Sequence, residues 1–402
     1  FCILIIIQIF IITSIINEDM AKTEFVLTPV TGRSFIGRKD IVEELGRELS
    51  NPGSHIGFCI YGRRRVGKTS ILMEIRYVLQ KKKDVVVAYL SLYDIADLSL
   101  KTFGEELVNA IMTAYQEKGL LPLGVKIGKL LEAPLDVVME LLKNAKIEAR
   151  ALEQIKILLE YREKKEPNYS GYIRHAFNAG EALANATSTK FILMLDEFPE
   201  ILNVENGLQL VKILRTQYEV QKRTALVISG SIRKTLEIVA LSDSSPFYKQ
   251  LVPKHILPFT EEETIEFLKS YLGKIDKQEI KKLQELTGGL PFYLQFIGRS
   301  TRYSEGINGA IENFISQEGD VLFKEELEKL NDKEKLMVIA LSRGKKNLTE
   351  IAKELGEPTT TVGRYLPILM EKEIVVKESR GTYSLIDSLF SYWIKQKYAN
   401  NY

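Results

Sequence analysis

Gly62-Arg63-Arg64-Arg65-Val66-Gly67-Lys68-Thr69 satisfies the pattern G-x-x-x-x-G-K-[ST] in full, and no other stretch of the 402-residue chain makes so strong a chemical statement. Glycines let backbone N–H groups curl around phosphate oxygens, and a following helix start adds its positive dipole end. Gly62, Arg65, Val66, Gly67 and Ser70 would form the cradle, Lys68 would reach the β- and γ-phosphates, and the Thr69 hydroxyl would ligate Mg²⁺. The rival reading is a turn with an accidental lysine. The apolar run before the loop and the helical spacing after it argue against that.

Phe191–Glu197 (FILMLDE) ends an apolar run in two carboxylates. Asp196 is thereby expected at the C-terminal edge of a buried strand, where ligands bind in open α/β sheets. Asp196 would join the Mg²⁺ shell, and Glu197 would orient and deprotonate an attacking water. Ser229-Gly230-Ser231 follows the next strand, so Ser231 would touch the γ-phosphate or that water; a helix cap or turn is the alternative. Arg233 would pair with phosphate, in its own or a neighbouring subunit, or simply lie exposed. Two further segments precede helices. Phe35-Ile36-Gly37-Arg38 would clamp an adenine, with Arg38 near the phosphates or ribose, and Pro291 of Gly288-Gly289-Leu290-Pro291 would press on the base. For Pro291 the alternative is a plain helix start with proline at its first position. Arg63, Arg64 and Arg65 would screen phosphate charge, contact a partner or stay solvated. His55, His175 and His255 are dispersed without metal-ligand spacing, which points to structural roles.

The elements that must position these residues follow from periodicity. Short apolar runs at Ile56–Tyr61, Val85–Leu90, Phe191–Leu195, Ala225–Ser229 and about His255–Leu257 predict strands covered on both faces. Strand–helix–strand around the glycine loop predicts a parallel sheet, hence an α/β fold. From about Leu98 to Thr189 only helical stripes occur, which predicts a helical insertion. Beyond Thr260 the chain is helical, and acidic residues after Thr260 make a good first turn. Three helices after Asn331 and a hairpin around Ser379-Arg380-Gly381 describe a winged helix. The expected division is residues 20–258, a helical lid at 259–330 and a winged helix at 331–402.

Composition sets the outer bounds. A hydrophobic share of 45% and a charged share of 27% exclude disorder as the main state. The 55 basic and 53 acidic residues leave +2, which argues against a protein whose chief task is coating nucleic acid. Two cysteines, Cys2 and Cys59, exclude a disulfide framework and fit a reducing compartment. Residues 1–16 (FCILIIIQIFIITSII) are nearly all apolar. They are short for a membrane span and lack the marks of a secretory signal. Readings are a mis-set start, a membrane-contacting tail, or an element packed on the body; the first is favoured, because the recognisable fold begins after Met20.

FIGRKD, YGRRRVGKTSIL, FILMLDEFPEIL, SGS, ILPFTEEETIEFL and TGGLPFYLQFIG occur in an order that resembles the archaeal ATPase family, in the STAND branch of P-loop NTPases close to AAA+ proteins. The resemblance implies a sheet of order 5-1-4-3-2, a helical lid, a winged helix and Mg-ATP as ligand. It also implies that ATP or ADP occupancy repositions lid and winged helix. Asp40 stands where relatives often carry Glu, and only Arg299 offers itself as a lid arginine. The expectation is a cytoplasmic, slowly turning Mg²⁺-dependent ATPase switch, able to form homo-oligomers and with no membrane role. The alternative is an ATP-regulated DNA-binding protein. Thr359–Met370, the expected reading helix, carries the single cation Arg364 beside Tyr365 and three threonines, with Arg380 on the wing, so a protein-docking role stands beside the DNA one.

Overall fold

The structure, a computed structural model, describes residues 28–121, 169–231, 236–273, 275–301, 306–378 and 381–398, with isolated helical positions at 153, 156 and 160. The apolar first segment, the middle of the expected insertion, Arg233 and Arg380 lie outside the described residues. The chain divides into two compact units: Arg38–Leu257, and a second that joins the segment ending at Gly37 to Pro258–Tyr402.

The first unit runs α1 (Lys39–Ser50), β1 (Gly57–Tyr61), α2 (Lys68–Leu79), β2 (Val85–Ser91), α3 (Leu100–Glu117), α4 (Tyr169–Thr187), β3 (Lys190–Asp196), α5 (Gly207–Tyr218), β4 (Thr224–Gly230) and β5 (Leu251–His255). The strands form one sheet in the order β2-β3-β4-β1-β5, the 5-1-4-3-2 order read from the other edge. Every pairing is parallel. β3 and β4 are buried at every position, which is why they read as unbroken apolar runs rather than alternating ones.

The fifth strand departs from expectation. It lies at Leu251–His255, upstream of the apolar stretch that ended at Leu257. Only Leu251 in it is buried, whereas β2, at the other edge, is buried over most of its length. Pro253 is tolerated there since an edge strand leaves half its ladder positions unpaired. Continuous hydrophobicity is therefore the wrong signal for this strand.

The helices bounding the insertion are core elements. Phe103, Leu107 and Ile111 of α3 and Ile173, Phe177 and Leu183 of α4 join one buried cluster with Val86, Ala88, Leu193, Leu226 and Ile228 of the sheet. Close approach is enforced by small residues: a Cβ at Gly104 would come 2.7 Å from the Tyr172 ring, and one at Gly180 would press into Phe191.

The second unit contains α6 (Glu261–Leu272), α7 (Lys277–Thr287), α8 (Pro291–Thr301), α9 (Gly306–Asn313), α10 (Asp320–Glu328), α11 (Asp332–Ser342), β6 (Lys346–Asn347), α12 (Leu348–Leu355), α13 (Thr359–Glu371), β7 (Val375–Lys377), β8 (Thr382–Leu385) and α14 (Ser388–Tyr398). Thr260 and Glu263 form a reciprocal capping box on α6, the local reason that helix starts where it does. Helices α11–α13 with the antiparallel β6-β8-β7 sheet make the winged helix. α14 folds back on the helices at 259–330: the Phe323 ring packs, tilted, 5.4 Å from Phe390 and 5.9 Å from Trp393, and Trp393 Nε1 donates to Asp320 Oδ1 at 2.7 Å. Tyr293 also donates to Asp387. Lid and winged helix thus share an aromatic core. Among the described residues, no helix is long and apolar enough to cross a membrane.

Candidate active site

β1 delivers the chain to Gly62, and α2 begins at Lys68. A Cβ at Gly62 would land on the Ile256 carbonyl oxygen, so the close pass beside the segment leaving β5 requires glycine. Arg65 and Gly67 adopt positive φ of 68° and 91°, and Val66 between them is fully buried. For Arg65 a left-handed backbone costs about 1–3 kcal/mol, strain typical of ligand-clamping loops.

Arg38 is the loop's support. Only 6% exposed, it donates through its guanidinium to Val66 O at 2.5 Å and Leu257 O at 2.5 Å. The sequence reading set it beside phosphate or ribose; the structure gives it these bonds beneath the loop. Phe35, Ile36 and Pro291 belong to the second unit, where Phe35 is buried and the other two are half-buried. Tyr271 donates to Ser34 O at 3.0 Å, fastening the residues before Phe35 to α6. The FIGR motif is therefore divided after Gly37.

Within the first unit the remaining expected residues meet. Lys68 Nζ donates to Gly62 O at 3.0 Å, Arg63 O at 3.2 Å and Ser231 Oγ at 3.0 Å. Ser231 Oγ in turn donates to Glu197 Oε1 at 3.0 Å. Thr69 Oγ1 donates to Asp196 Oδ2 at 2.7 Å. Asp196 is 2% exposed at the last position of β3. Glu197 then takes a left-handed backbone at φ 48°, which turns the chain off the strand into the Phe198–Asn203 turn. Arg64 is exposed, whereas Arg63 and Arg65 are half-buried.

Two more residues complete the cluster: Tyr89, which the sequence did not single out, and Ser229, which it offered only within the Ser229-Gly230-Ser231 run. Tyr89 of β2 donates to Asp196 Oδ2 at 2.9 Å, and Ser229 of β4 donates to Asp196 Oδ1. Burial first, then the Asp196 charge and hydrogen bond, raise the Tyr89 hydroxyl far above the ordinary phenol value, so it stays a donor. Register carries the missing signal: Ser91 pairs with Asp196, which puts Tyr89 on the same face of the sheet.

The histidines are structural where the structure shows their partners. His55 lies 3.1 Å from both Thr224 O and Tyr218 O, and His255 stacks 4.7 Å from Tyr61. Burial pushes the Cys59 thiol up to about 12, leaving it inert. Among the described residues no group of three His, Cys, Asp or Glu could hold a metal. A hydroxyl beside one carboxylate suits instead a Mg²⁺ that draws its other ligands from phosphates and water.

With this geometry in place, the comparisons decide the family. A sequence model described as an ATPase domain predominantly from Archaea matches residues 35–297, the loop and Asp196 included. The chain belongs to this archaeal ATPase family. A relative, an uncharacterised protein of Methanocaldococcus jannaschii, is 25% identical over 260 residues, covering 62% of this chain and 57% of the relative. The match thus spans little more than half that relative's length. Among solved structures, the Walker-type ATPase of Pyrococcus abyssi superposes with a TM-score of 0.67 at 19% identity, covering 92% of this chain and 99% of that one. The ORC2 protein of Aeropyrum pernix, in ADPNP–ADP complexes, gives 0.57 at 13%, covering 90% and 95%. These likenesses show that the chain has the P-loop ATPase fold, in keeping with its own sheet order.

Proposed function

We propose that this chain is a Mg²⁺-dependent ATPase that binds ATP and ADP at the Gly62–Thr69 loop, hydrolyses slowly and uses its nucleotide state as a switch. The observation that carries the reading is the convergence of the loop with two strand ends: Thr69 on Asp196 at 2.7 Å, and Lys68 and Glu197 on the shared Ser231. The nucleotide complexes of the structural neighbour from Aeropyrum pernix support a nucleotide as ligand.

Each side chain then has a task. Lys68 exchanges its two loop carbonyls for phosphate oxygens. Backbone N–H groups from Arg65 to Ser70 cradle the phosphates. Thr69 and Asp196 would hold Mg²⁺, which when bound neutralises phosphate charge. Glu197 accepts the proton of the attacking water, and Ser231 holds the carboxylate in place. Because lid and winged helix share the aromatic core around Phe323, the switch moves residues 259–330 and 331–402 as one body.

DNA binding is the second reading, favoured by the winged helix itself. The charge pattern weighs against it. Lys333, Arg343, Lys345, Lys346 and Lys372 each pair with a glutamate of the same winged helix, which leaves less positive charge for phosphate. A protein partner fits this surface better.

Steady-state ATPase assays with nucleotide-binding titrations test the central claim. Lys68→Ala is expected to lose ATP binding, whereas Glu197→Gln keeps binding and loses about 10²–10⁴-fold in turnover. Parent-like hydrolysis by Glu197→Gln would remove Glu197 as the base.

A further inference from the structure

The Asp196 carboxylate accepts hydrogen bonds from four parts of the chain. Oδ2 accepts from Thr69 at 2.7 Å and Tyr89 at 2.9 Å, while Oδ1 accepts from the Glu197 backbone N–H at 3.0 Å and from Ser229. Two donors on each oxygen hold the carboxylate against rotation. Three of these donors have expected reasons to be present: Thr69 belongs to the phosphate loop, Glu197 follows Asp196 in sequence, and Ser229 ends the adjacent strand. Tyr89 is different. It reaches in from the edge strand β2, 107 positions away in sequence, and shares one oxygen with Thr69.

That sharing has a chemical consequence. Thr69 gives its only hydroxyl proton to Asp196, so its oxygen lone pairs are left for a cation. The arrangement holds only while Oδ2 stays fixed, and Tyr89 is the second bond that fixes it. We infer that Tyr89 is a positioning residue for the Mg²⁺ site, holding Asp196 so that Thr69 keeps its hydroxyl oxygen available to the cation. The inference rests on the ATPase reading above and deepens it. The hydrogen bond that Tyr89 makes goes to Asp196 and not to the loop backbone, and on this reading Tyr89 does not hold the nucleotide. Its effect must therefore appear in metal linkage and not in metal-free binding.

The test compares the full-length chain with Tyr89→Phe, which keeps the ring and removes the hydroxyl. A fluorescent ADP analogue is titrated in EDTA and across a Mg²⁺ series, and apo melting is recorded alongside. One hydrogen bond to a charged group corresponds to a rise of about tenfold in the Mg²⁺ midpoint, with EDTA affinity unchanged within about twofold. Ser229→Ala, which removes a donor from the other oxygen, should shift the midpoint in the same direction and serves if Tyr89→Phe melts early. An unchanged Mg²⁺ midpoint in Tyr89→Phe overturns the inference. So does an equal loss of affinity in EDTA and Mg²⁺, which would mark Tyr89 as merely structural. If the parent itself binds the analogue without any Mg²⁺ effect, the ATPase reading fails, and the tyrosine inference with it.

Discussion

Lys68 Nζ donates to Ser231 Oγ at 3.0 Å, joining residues 163 positions apart in sequence. Ser231 Oγ in turn donates a hydrogen bond to Glu197 Oε1 at 3.0 Å, so one hydroxyl links Lys68 to the carboxylate proposed as base. Replacing Ser231 by Ala should lower kcat by roughly tenfold to a hundredfold, the worth of one hydrogen bond among charged groups. KM for ATP should stay within about threefold, because loop and lysine remain. A kcat equal to the parent's would reduce Ser231 to a turn residue.

Arg38 braces the phosphate loop from below through Val66 O and, 219 positions away, Leu257 O. Arg38→Ala leaves two carbonyls to find new donors and should destabilise the chain by about 2–4 kcal/mol. Lysine should not rescue it, since a single ammonium is a poor match for a forked pair of acceptors. Urea midpoints decide this; full rescue by Arg38→Lys would contradict the two-carbonyl role.

Glu181 of α4 secures the start of β4. It accepts from Lys222 N at 2.9 Å, Arg223 N at 3.0 Å and Thr224 Oγ1 at 2.8 Å. Burial pushes its pKa up, but these bonds outweigh burial and hold it below the usual 4.5. A depressed folded value means that the stabilisation is present above 4.5 and is lost as pH falls below it, through the lowered value. Glu181→Gln should therefore be less stable than the parent at neutral pH, with a flatter acid limb in urea midpoints between about pH 7 and pH 3. Parallel acid limbs in the two proteins would rule the carboxylate out as a source of the pH dependence.

Fluorescence anisotropy with duplex DNA across a salt series separates the two readings of the winged helix. With Lys333, Arg343, Lys345, Lys346 and Lys372 already paired within the domain, we expect weak binding and a log–log salt slope shallower than about −2. A slope near −5 with tight, ATP-dependent binding would instead indicate about six phosphate contacts and establish the DNA reading.

The sequence by itself determined the glycine loop, the strand that ends in Asp196, the β2–β3–β4–β1 part of the sheet as buried runs, and the capped helix after Thr260. These are local properties: spacing within one element encodes which side chains are buried and which backbone groups are left at its ends. Tertiary structure decided the rest. The edge strand Leu251–His255 escaped because Leu251 alone in it is buried, which leaves no continuous apolar run. The division of the FIGR motif after Gly37 follows from which unit each residue packs into, a matter no local pattern records. The meeting of Tyr89 with Asp196 depends on the register of β2 against β3, and that of Arg38 with Leu257 on the return of the chain from β5. Register and return are set by packing between elements far apart in sequence, so the residue types were visible from the start while their partners were not.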